Sequence, residues 1–272
     1  MKEGFSVSMC VYHGDDVAHF QTAVESVLTQ SCLPEEIVLV VDGPVPEPLE
    51  EVISAYEKNP LFRVLRLEKN CGHGAARRAG LEACRCELVA LMDADDICVP
   101  ERFALQTAAF AAHPEACVIG GQIEEFIGTP QQTVGKRVVP LTDGEIKAYL
   151  KKRCPFNQVT VMLRKQAVNE AGGYLDWYCD EDYYLWLRLF LAGGFFANVP
   201  ETLVMVRVSE DMYARRGGWK YFCSESRLQR FMLKNGIVSL PLYCVNVLKR
   251  LVVQVLLPNR VRGWIFQNFA RE

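Results

Sequence analysis

The chain has 272 residues, half of them hydrophobic, which is enough for one large domain, or one domain with an appendage, and argues against a disordered protein. Its eleven cysteines are an odd number without zinc-type spacing, and no apolar stretch of signal-peptide length opens the sequence, so we expect a reducing, cytosolic setting without disulfides or structural zinc. The net charge of −3 is uneven: residues 215–272 hold 11 Lys and Arg against two Glu, a net of +9, which leaves −12 for residues 1–214.

Strand-like and helix-like patterns alternate through the first hundred residues. Strands are predicted at 5–12, 37–41, 62–67 and 88–92. Helices are predicted after the Asp15–Asp16 pair, which can cap the helix start, after Asp42-Gly43-Pro44, and over the small-residue stretch at 74–84. This order predicts a doubly wound α/β sheet. Ligands of such sheets bind beyond the carboxyl ends of the strands, where Asp42 and the DADD stretch at 93–96 fall.

The second half is less regular. ACVIGGQIEEFIG (116–128) and VTVML (159–163) predict further strands, and the capping box T-D-G-E at 142–145 predicts the start of a short helix. Another helix is predicted from Glu181–Asp182, with a buried apolar stripe and an end at Gly193–Gly194.

Three carboxylates, Asp93, Asp95 and Asp96, follow the fourth predicted strand. They repel one another unless a positive group lies among them, and oxygen ligands of this kind suit Mg²⁺ or Mn²⁺, which commonly bridge to phosphate oxygens. The alternative is an acidic turn that caps the next helix at Pro100. Spacing alone leaves both interpretations open.

Two other stretches are candidates for a nucleotide site. Asp42 can accept hydrogen bonds from a base or from ribose hydroxyls, although an Asp before Gly-Pro also forms turns. Gly72 and Gly74 fit the start of GxGxxG, but the third position is Arg77 and the loop follows the third strand, which excludes the Rossmann fingerprint. A glycine-rich helix start with Arg77 still favours an anion.

The acidic pair Glu181–Asp182 opens an otherwise apolar helix. The helix dipole stabilises a carboxylate there without any catalytic role, and spacing alone favours this structural interpretation over a general base.

The segment between Pro241 and Pro258 is too short and too charged to span a bilayer. On a helical wheel its polar residues share one side, which predicts an amphipathic helix: Asn246, Lys249, Arg250 and Gln254. Such a helix packs on the protein or lies on a membrane, and the net charge, with Trp219, Trp264 and Phe266 as exposed candidates, favours an anionic membrane surface.

The chain resembles the family 2 glycosyltransferases of the GT-A fold in stretches that follow the family's order: FSVSMCVY, VLVVDGP, NCGHGAARRAGL, LVALMDADDICVPERF and GGYLDWYCDEDYYLWLRL. RVSEDMYARRGGWKYF and the tail are similar to the amylovoran-biosynthesis-like branch of bacterial polysaccharide enzymes. The resemblance implies a Rossmann-like, doubly wound mixed sheet flanked by helices. It divides the chain into a GT-A catalytic domain over 1–214, with a nucleotide-sugar half at about 1–98 and an acceptor half at about 99–214, and a basic amphipathic helical tail over 215–272.

The resemblance also implies residue roles. Asp42 would contact the base, and Arg77 would lie near the nucleotide. Asp93 would lie by the ribose and Asp95 would hold the metal on the diphosphate, with Asp93 as a second candidate ligand. The remaining candidates are Asp182 as catalytic base with Glu181 beside it, and Tyr12, Arg215 and Arg216 as nucleotide or diphosphate contacts.

The implied activity is inverting, Mn²⁺- or Mg²⁺-dependent transfer of a sugar from a UDP-sugar to a hydroxyl of a lipid-diphosphate-linked saccharide, in the synthesis of an O-antigen, capsule or exopolysaccharide. The expected setting is the cytoplasmic face of the plasma membrane, and a homodimer is left open. Nucleic acid is not an expected partner, because no binding motif accompanies the basic tail.

Two other functions remain as alternatives. A sugar-1-phosphate nucleotidyltransferase is disfavoured by Asp15 and Asp16, which stand where a triphosphate-binding loop is expected. A non-catalytic sugar-nucleotide-binding subunit would bind UDP without turnover.

Overall fold

A computed structural model describes residues 3–208 and 217–257. Strands and helices alternate in its first part as the sequence predicts: β1 (Phe5–Val11), α1 (Val17–Leu28), β2 (Glu36–Val41), α2 (Glu47–Glu57), β3 (Phe62–Arg66), α3 (His73–Ala83) and β4 (Leu88–Asp93). β1 pairs in parallel with β2 and β4, and β2 pairs in parallel with β3. Alternate side chains of β2 enter two different hydrophobic cores, one on each face of the sheet.

The second part extends the same sheet with both antiparallel and parallel pairs. Its elements are β5 (Ile97–Cys98), α4 (Arg102–Ala112), β6 (Ala116–Phe126), β7 (Thr133–Arg137), α5 (Asp143–Leu150), β8 (Met162–Arg164), α6 (Lys165–Glu170), α7 (Glu181–Leu191) and β9 (Phe195–Arg207). The strand order is β3-β2-β1-β4-β8-β6-β9-β5, with β7 paired to β6. The predicted mixed sheet flanked by helices is therefore confirmed.

One predicted strand is wrong in part. Within 159–163, only the end enters β8, because a 3₁₀ turn occupies Gln158–Thr160. The Thr160 amide and hydroxyl both donate to the Asn157 carbonyl, at 2.9 and 2.7 Å, and this local hydrogen bonding closes a turn where β-branched residues predict a strand. The capping box at the start of α5 is confirmed, with Thr142 and Glu145 bonded reciprocally.

Close packing brings α3 onto the sheet. A Cβ at Gly80 would collide with the Ser8 hydroxyl of β1, so glycine at this position lets the helix approach the strand. This approach carries Arg77, one turn earlier in α3, to the end of β4.

The C-terminal helices share the core of the sheet domain. α8 (Trp219–Lys234) contributes Leu228 and Met232 to the cluster that contains Trp186 of α7, and the Ser224 hydroxyl donates to the Tyr178 carbonyl at 2.6 Å. α9 (Leu240–Leu251) continues into one π turn at Val252–Leu256. The division of the chain at residue 214 stays a prediction, and Arg215, Arg216, Trp264 and Phe266 lie outside the described residues.

The amphipathic helix turns most of its polar side inward, while Lys249 on that side remains exposed. Asn246 and Gln254 are each 4% exposed. The Asn246 amide donates to the Lys151 carbonyl and to Gln229, and Arg250 lies 2.9 Å from a Glu225 oxygen. The apolar side faces outward, in a stripe that we call the outer stripe: Leu240, Val245, Leu248, Val252 and Leu256.

The outer stripe belongs to a short helix. Within residues 3–208 and 217–257, every helix falls short of the length and apolar character that a bilayer span requires.

Candidate functional site

The carboxyl ends of β1, β2 and β4 meet at one edge of the sheet, as expected for adjacent parallel strands. Tyr12 follows β1, Asp42 follows β2, and Asp93 ends β4. The structure therefore brings three of the predicted nucleotide-site residues to the same edge.

Asp42 holds the loop that precedes α3. Its two carboxylate oxygens accept the amide protons of Cys71 and Gly72 at 2.7 and 3.0 Å, and the side chain is 5% exposed. These bonds give Asp42 a structural role at the nucleotide edge. Its contact with the base stays a prediction.

Arg77 links the DADD stretch to the acidic pair of α7. Its Nη2 donates to Asp93 Oδ1 at 2.8 Å, and its Nη1 lies 3.6 Å from Glu181 Oε1. His73 lies beside both carboxylates, with ring nitrogens 3.9 Å from Asp93 and 3.7 Å from Glu181. One buried guanidinium thus fixes two acidic motifs that are far apart in the sequence.

Burial and the charge of Arg77 shift the pKa values of the neighbouring groups. Burial is the largest single influence and raises the pKa of Asp93, but the Arg77 charge, together with smaller contributions that include the Arg77 hydrogen bond, holds that pKa below its usual value. The same charge, together with burial, lowers the pKa of His73 to about 4, so the imidazole is neutral at pH 7. Burial and then the Asp182 charge raise the pKa of Glu181.

Asp95 and Asp96 point in different directions after Asp93. Asp96 is 4% exposed and accepts the Arg207 amide proton at 2.8 Å, whereas the side chain of Asp95 is exposed. Burial and the neighbouring carboxylates raise the pKa values of Asp95 and Asp96. A cation near Asp95 would relieve this repulsion.

The fit of a divalent ion can be tested on these residues. Within the described parts of the chain, His, Cys, Asp and Glu side chains form no group of three that could hold a metal ion. Proteins commonly hold Mg²⁺ with only one or two carboxylates, and waters and substrate phosphates supply the remaining ligands. Asp93 and Asp95 could provide these two carboxylates. The residues fit an ion that binds together with a diphosphate.

The two members of the acidic pair face different surroundings. Glu181 is 9% exposed and is directed to Arg77 and His73. Asp182 lines a cavity of about 640 Å³ together with Asp93, Asp95 and Asp96. The arrangement suits Asp182 for proton transfer in the cavity and Glu181 for positioning Arg77.

The cavity extends from the DADD stretch to the C-terminal helices. Its lining includes Gln158 in the 3₁₀ turn before β8, Asp180 before α7, and Lys249 and Gln254 from α9 and the π turn. Tyr12, Asp42 and Arg77 are not among its lining residues, but Asp93 belongs both to the sheet edge and to the cavity lining. The sheet edge and the cavity are therefore adjoining parts of one candidate site.

Asp15 is a further carboxylate whose charge interacts with Asp93 and Asp95, and the sequence pattern predicts only a helix cap there. Burial raises its pKa to about 6, with further contributions from the Asp95 and Asp93 charges, although the Tyr12 amide donates to it. The sequence places Asp15 in the loop after β1, and β1 pairs with the strand that ends in DADD. This position could have indicated that Asp15 lies near the DADD carboxylates.

The chain is similar to known glycosyltransferases. The profile of Glycosyl transferase family 2 matches residues 6–173. The chain is 37% identical over 268 residues to the amylovoran biosynthesis glycosyltransferase AmsE of Erwinia amylovora, covering 97% of this chain and 98% of the relative. It is 32% identical over 267 residues to an Escherichia coli UDP-Gal:alpha-D-GlcNAc-diphosphoundecaprenol beta-1,3-galactosyltransferase, covering 98% and 96%.

A solved structure has a similar fold. The crystal structure of S. aureus TarS 1–349 in complex with UDP-GlcNAc superposes with a TM-score of 0.68 at 16% identity, over 97% of this chain and 79% of that one. At 16% identity, this similarity establishes a shared fold.

Proposed function

This chain belongs to glycosyl transferase family 2, and we propose that it transfers a sugar from a UDP-sugar to a hydroxyl of a lipid-diphosphate-linked saccharide in bacterial surface polysaccharide synthesis. The observation that carries the proposal is the Arg77 link, which holds the DADD stretch and the acidic pair of α7 around one cavity. The names of two relatives, an amylovoran glycosyltransferase and a galactosyltransferase with a diphosphoundecaprenol-linked acceptor, support the substrate classes.

The donor end is the edge formed by Tyr12, Asp42 and Asp93. The exposed ring of Tyr12 is free to lie against the base or sugar, and Arg77 holds Asp93 ionised. Mn²⁺ or Mg²⁺, held by Asp95 with Asp93, would supply positive charge to the diphosphate as it leaves. The chain's own contribution is to hold these carboxylates in place before the substrate binds.

Asp182 acts as the base on the acceptor side of the cavity. It takes the proton of the acceptor hydroxyl as that oxygen bonds to the anomeric carbon, and the bond from that carbon to the diphosphate breaks in the same displacement. A single displacement inverts the anomeric configuration, so a UDP-α-sugar gives a β-linked product.

We also propose that the protein works at the inner face of the plasma membrane, with the outer stripe against the lipid. The polar side of α9 already packs on the protein, and this leaves an apolar stripe outside in which Leu248 and Leu256 are 61% and 66% exposed. Trp219, 64% exposed, lies on α8, which packs beside α9, and the surrounding tail carries a net charge of +9. This placement would bring the cavity to a membrane-bound acceptor.

The test is release of UDP from a panel of UDP-sugars, with Mn²⁺ or with EDTA, and with and without lipid-diphosphate-linked acceptors. Acceptor-stimulated, metal-dependent release from one donor is expected. UDP binding in calorimetry without transfer to any acceptor would favour a binding subunit, and absence of UDP binding would contradict the nucleotide site itself.

A further inference from the structure

Four buried oxygens in the residues that line the cavity accept no hydrogen bond within the described structure: Asn157 Oδ1, Gln158 Oε1, Asp180 Oδ2 and Gln254 Oε1. Among the other described residues, only Asn198 has a buried amide or carboxylate oxygen in this state. Unpaired buried acceptors are uncommon because each loses its hydration without compensation. Their concentration around one cavity points to a ligand.

The amide groups are oriented by their nitrogens. The Gln158 amide donates to the Tyr174 hydroxyl at 2.9 Å, and the Gln254 amide donates to Glu225. The oxygen of each amide is therefore the group that is left to receive a proton donor. Asp180 is 5% exposed, and its unpaired oxygen adds a third polar group on the same cavity. Burial and then the Glu225 and Asp182 charges raise the pKa of this carboxyl, so it can accept from a ligand hydroxyl when ionised and donate to one when protonated.

The chemistry of these groups selects a class of ligand. Oxygens without a donor require O–H or N–H groups, and a phosphate at neutral pH offers few of these. A saccharide offers several hydroxyls in fixed directions. The torsions that end Asp and Gln side chains are soft, so these oxygens can turn toward ligand hydroxyls in the cavity at low cost.

We propose that Gln158, Asp180 and Gln254 form the subsite for the acceptor saccharide, an inference that rests on the proposed function. The subsite places the acceptor hydroxyl near Asp182, two residues from Asp180 and on the same cavity. It also makes the C-terminal helices part of the acceptor site, because Gln254 lies on the π turn after α9. The backbone carbonyl of Gln254 accepts the Gly218 amide proton at 2.9 Å, which ties this turn to the start of α8.

The test uses shape-conserving variants of the full-length protein. Gln158→Met and Gln254→Met keep the side-chain length and remove the amide, its oxygen and its nitrogen together. Gln166→Met is the matched control, because this glutamine is exposed, does not line the cavity and also donates to one side chain, that of Glu170. Steady-state kinetics with a soluble short-chain lipid diphosphate saccharide gives KM for the acceptor and for the donor, and calorimetry gives the affinity for UDP. Each cavity variant is expected to raise the acceptor KM about five- to tenfold, the size of one lost hydrogen bond, while its UDP affinity stays that of the wild type.

The outcomes separate this subsite from the function on which it rests. Transfer by the wild type with an unchanged acceptor KM in both cavity variants overturns the subsite alone, and so does a rise confined to the donor KM. Absence of transfer by the wild type overturns both. Unchanged UDP affinity in the variants verifies that they are folded, and the two separate positions keep the test decisive where one substitution unfolds the protein.

Discussion

The Arg77 guanidinium donates to Asp93 Oδ1 at 2.8 Å and thereby joins α3 to the end of β4 at the centre of the candidate site. The Arg77 side chain is 7% exposed, and its other terminal nitrogen faces Glu181. A buried cation with two carboxylates is favourable only while all three charges are present. The same contact therefore supports both the fold and the ionisation of the site.

Arg77→Met is expected to destabilise the protein by about 3 kcal/mol, because breaking a buried ion pair leaves a carboxylate without its counter-charge. Thermal or denaturant unfolding measures the change. The double variant Arg77→Met/Asp93→Asn should recover part of the loss, since the uncompensated charge is gone. If the double variant is as unstable as the sum of the single variants, the Arg77–Asp93 contact is not the source of the effect.

Asp95→Asn is expected to abolish metal-dependent turnover, because an amide oxygen is a weaker ligand for Mn²⁺ or Mg²⁺ than a carboxylate. UDP release is measured across a metal titration. The matched control is Asp176→Asn, since this acidic residue is exposed and does not line the cavity. Wild-type activity in Asp95→Asn would remove the metal role from DADD.

The acidic pair of α7 should separate into two kinetic effects. Asp182→Asn removes the base and is expected to lower kcat by about 10²- to 10⁴-fold with little change in UDP affinity. Glu181→Gln leaves Asp182 in place but weakens the contact with Arg77, so its effect on kcat should be smaller. Because burial and the Asp182 charge raise the pKa of Glu181, removing its charge should not destabilise the protein at pH 7. Equal losses of kcat in the two variants would contradict the separation.

The pKa of about 6 for Asp15 predicts a pH-dependent stability in the presence of EDTA. The folded protein favours the protonated carboxyl, so ionisation destabilises it as the pH rises from about 4 through 6, and the loss is complete above that range. Asp15→Asn, which retains an oxygen for the Tyr12 amide, should be more stable than the wild type at pH 7.5 by on the order of 1 kcal/mol after solvent screening. The difference should vanish near pH 4, and a constant difference would contradict it.

The repeated part of the fold was readable from the sequence because local patterns determine it. Buried strands and amphipathic helices alternate, and the carboxyl ends of parallel strands must meet at one edge, so Asp42 and Asp93 could be placed together before the structure was known. The turn at Gln158–Thr160 was missed because side-chain hydrogen bonds override β propensity there.

Other parts of the site depend on tertiary docking, which a local pattern does not encode. Arg77 and Glu181 come from helices 104 positions apart, and their contact depends on how closely α3 and α7 approach β4. Periodicity predicted the two sides of α9 but not which side faces solvent, because carbonyl groups and Glu225 on the protein surface satisfy the polar side.

The orientation of α9 leads to the last prediction, that the outer stripe binds membranes. The double variant Leu248→Ser/Leu256→Ser should reduce binding to vesicles that contain anionic phospholipid by at least about tenfold, because two largely exposed leucines lose their apolar contact with lipid. The matched control is Leu33→Ser/Leu191→Ser, which changes two leucines that are 58% and 44% exposed elsewhere on the surface.

Sedimentation with vesicles measures the binding, and sedimentation equilibrium without lipid measures the oligomeric state. If the outer stripe faces lipid, both double variants have the same mass in solution. Vesicle binding then falls only in the α9 variant. A stripe that seals a homodimer predicts the opposite: the α9 variant alone loses its dimer, and vesicle binding is equal in both. Most of the polar side of α9 already packs on the protein, so each of these two results identifies a partner for its apolar side. Only the lipid-facing result supports action at the membrane.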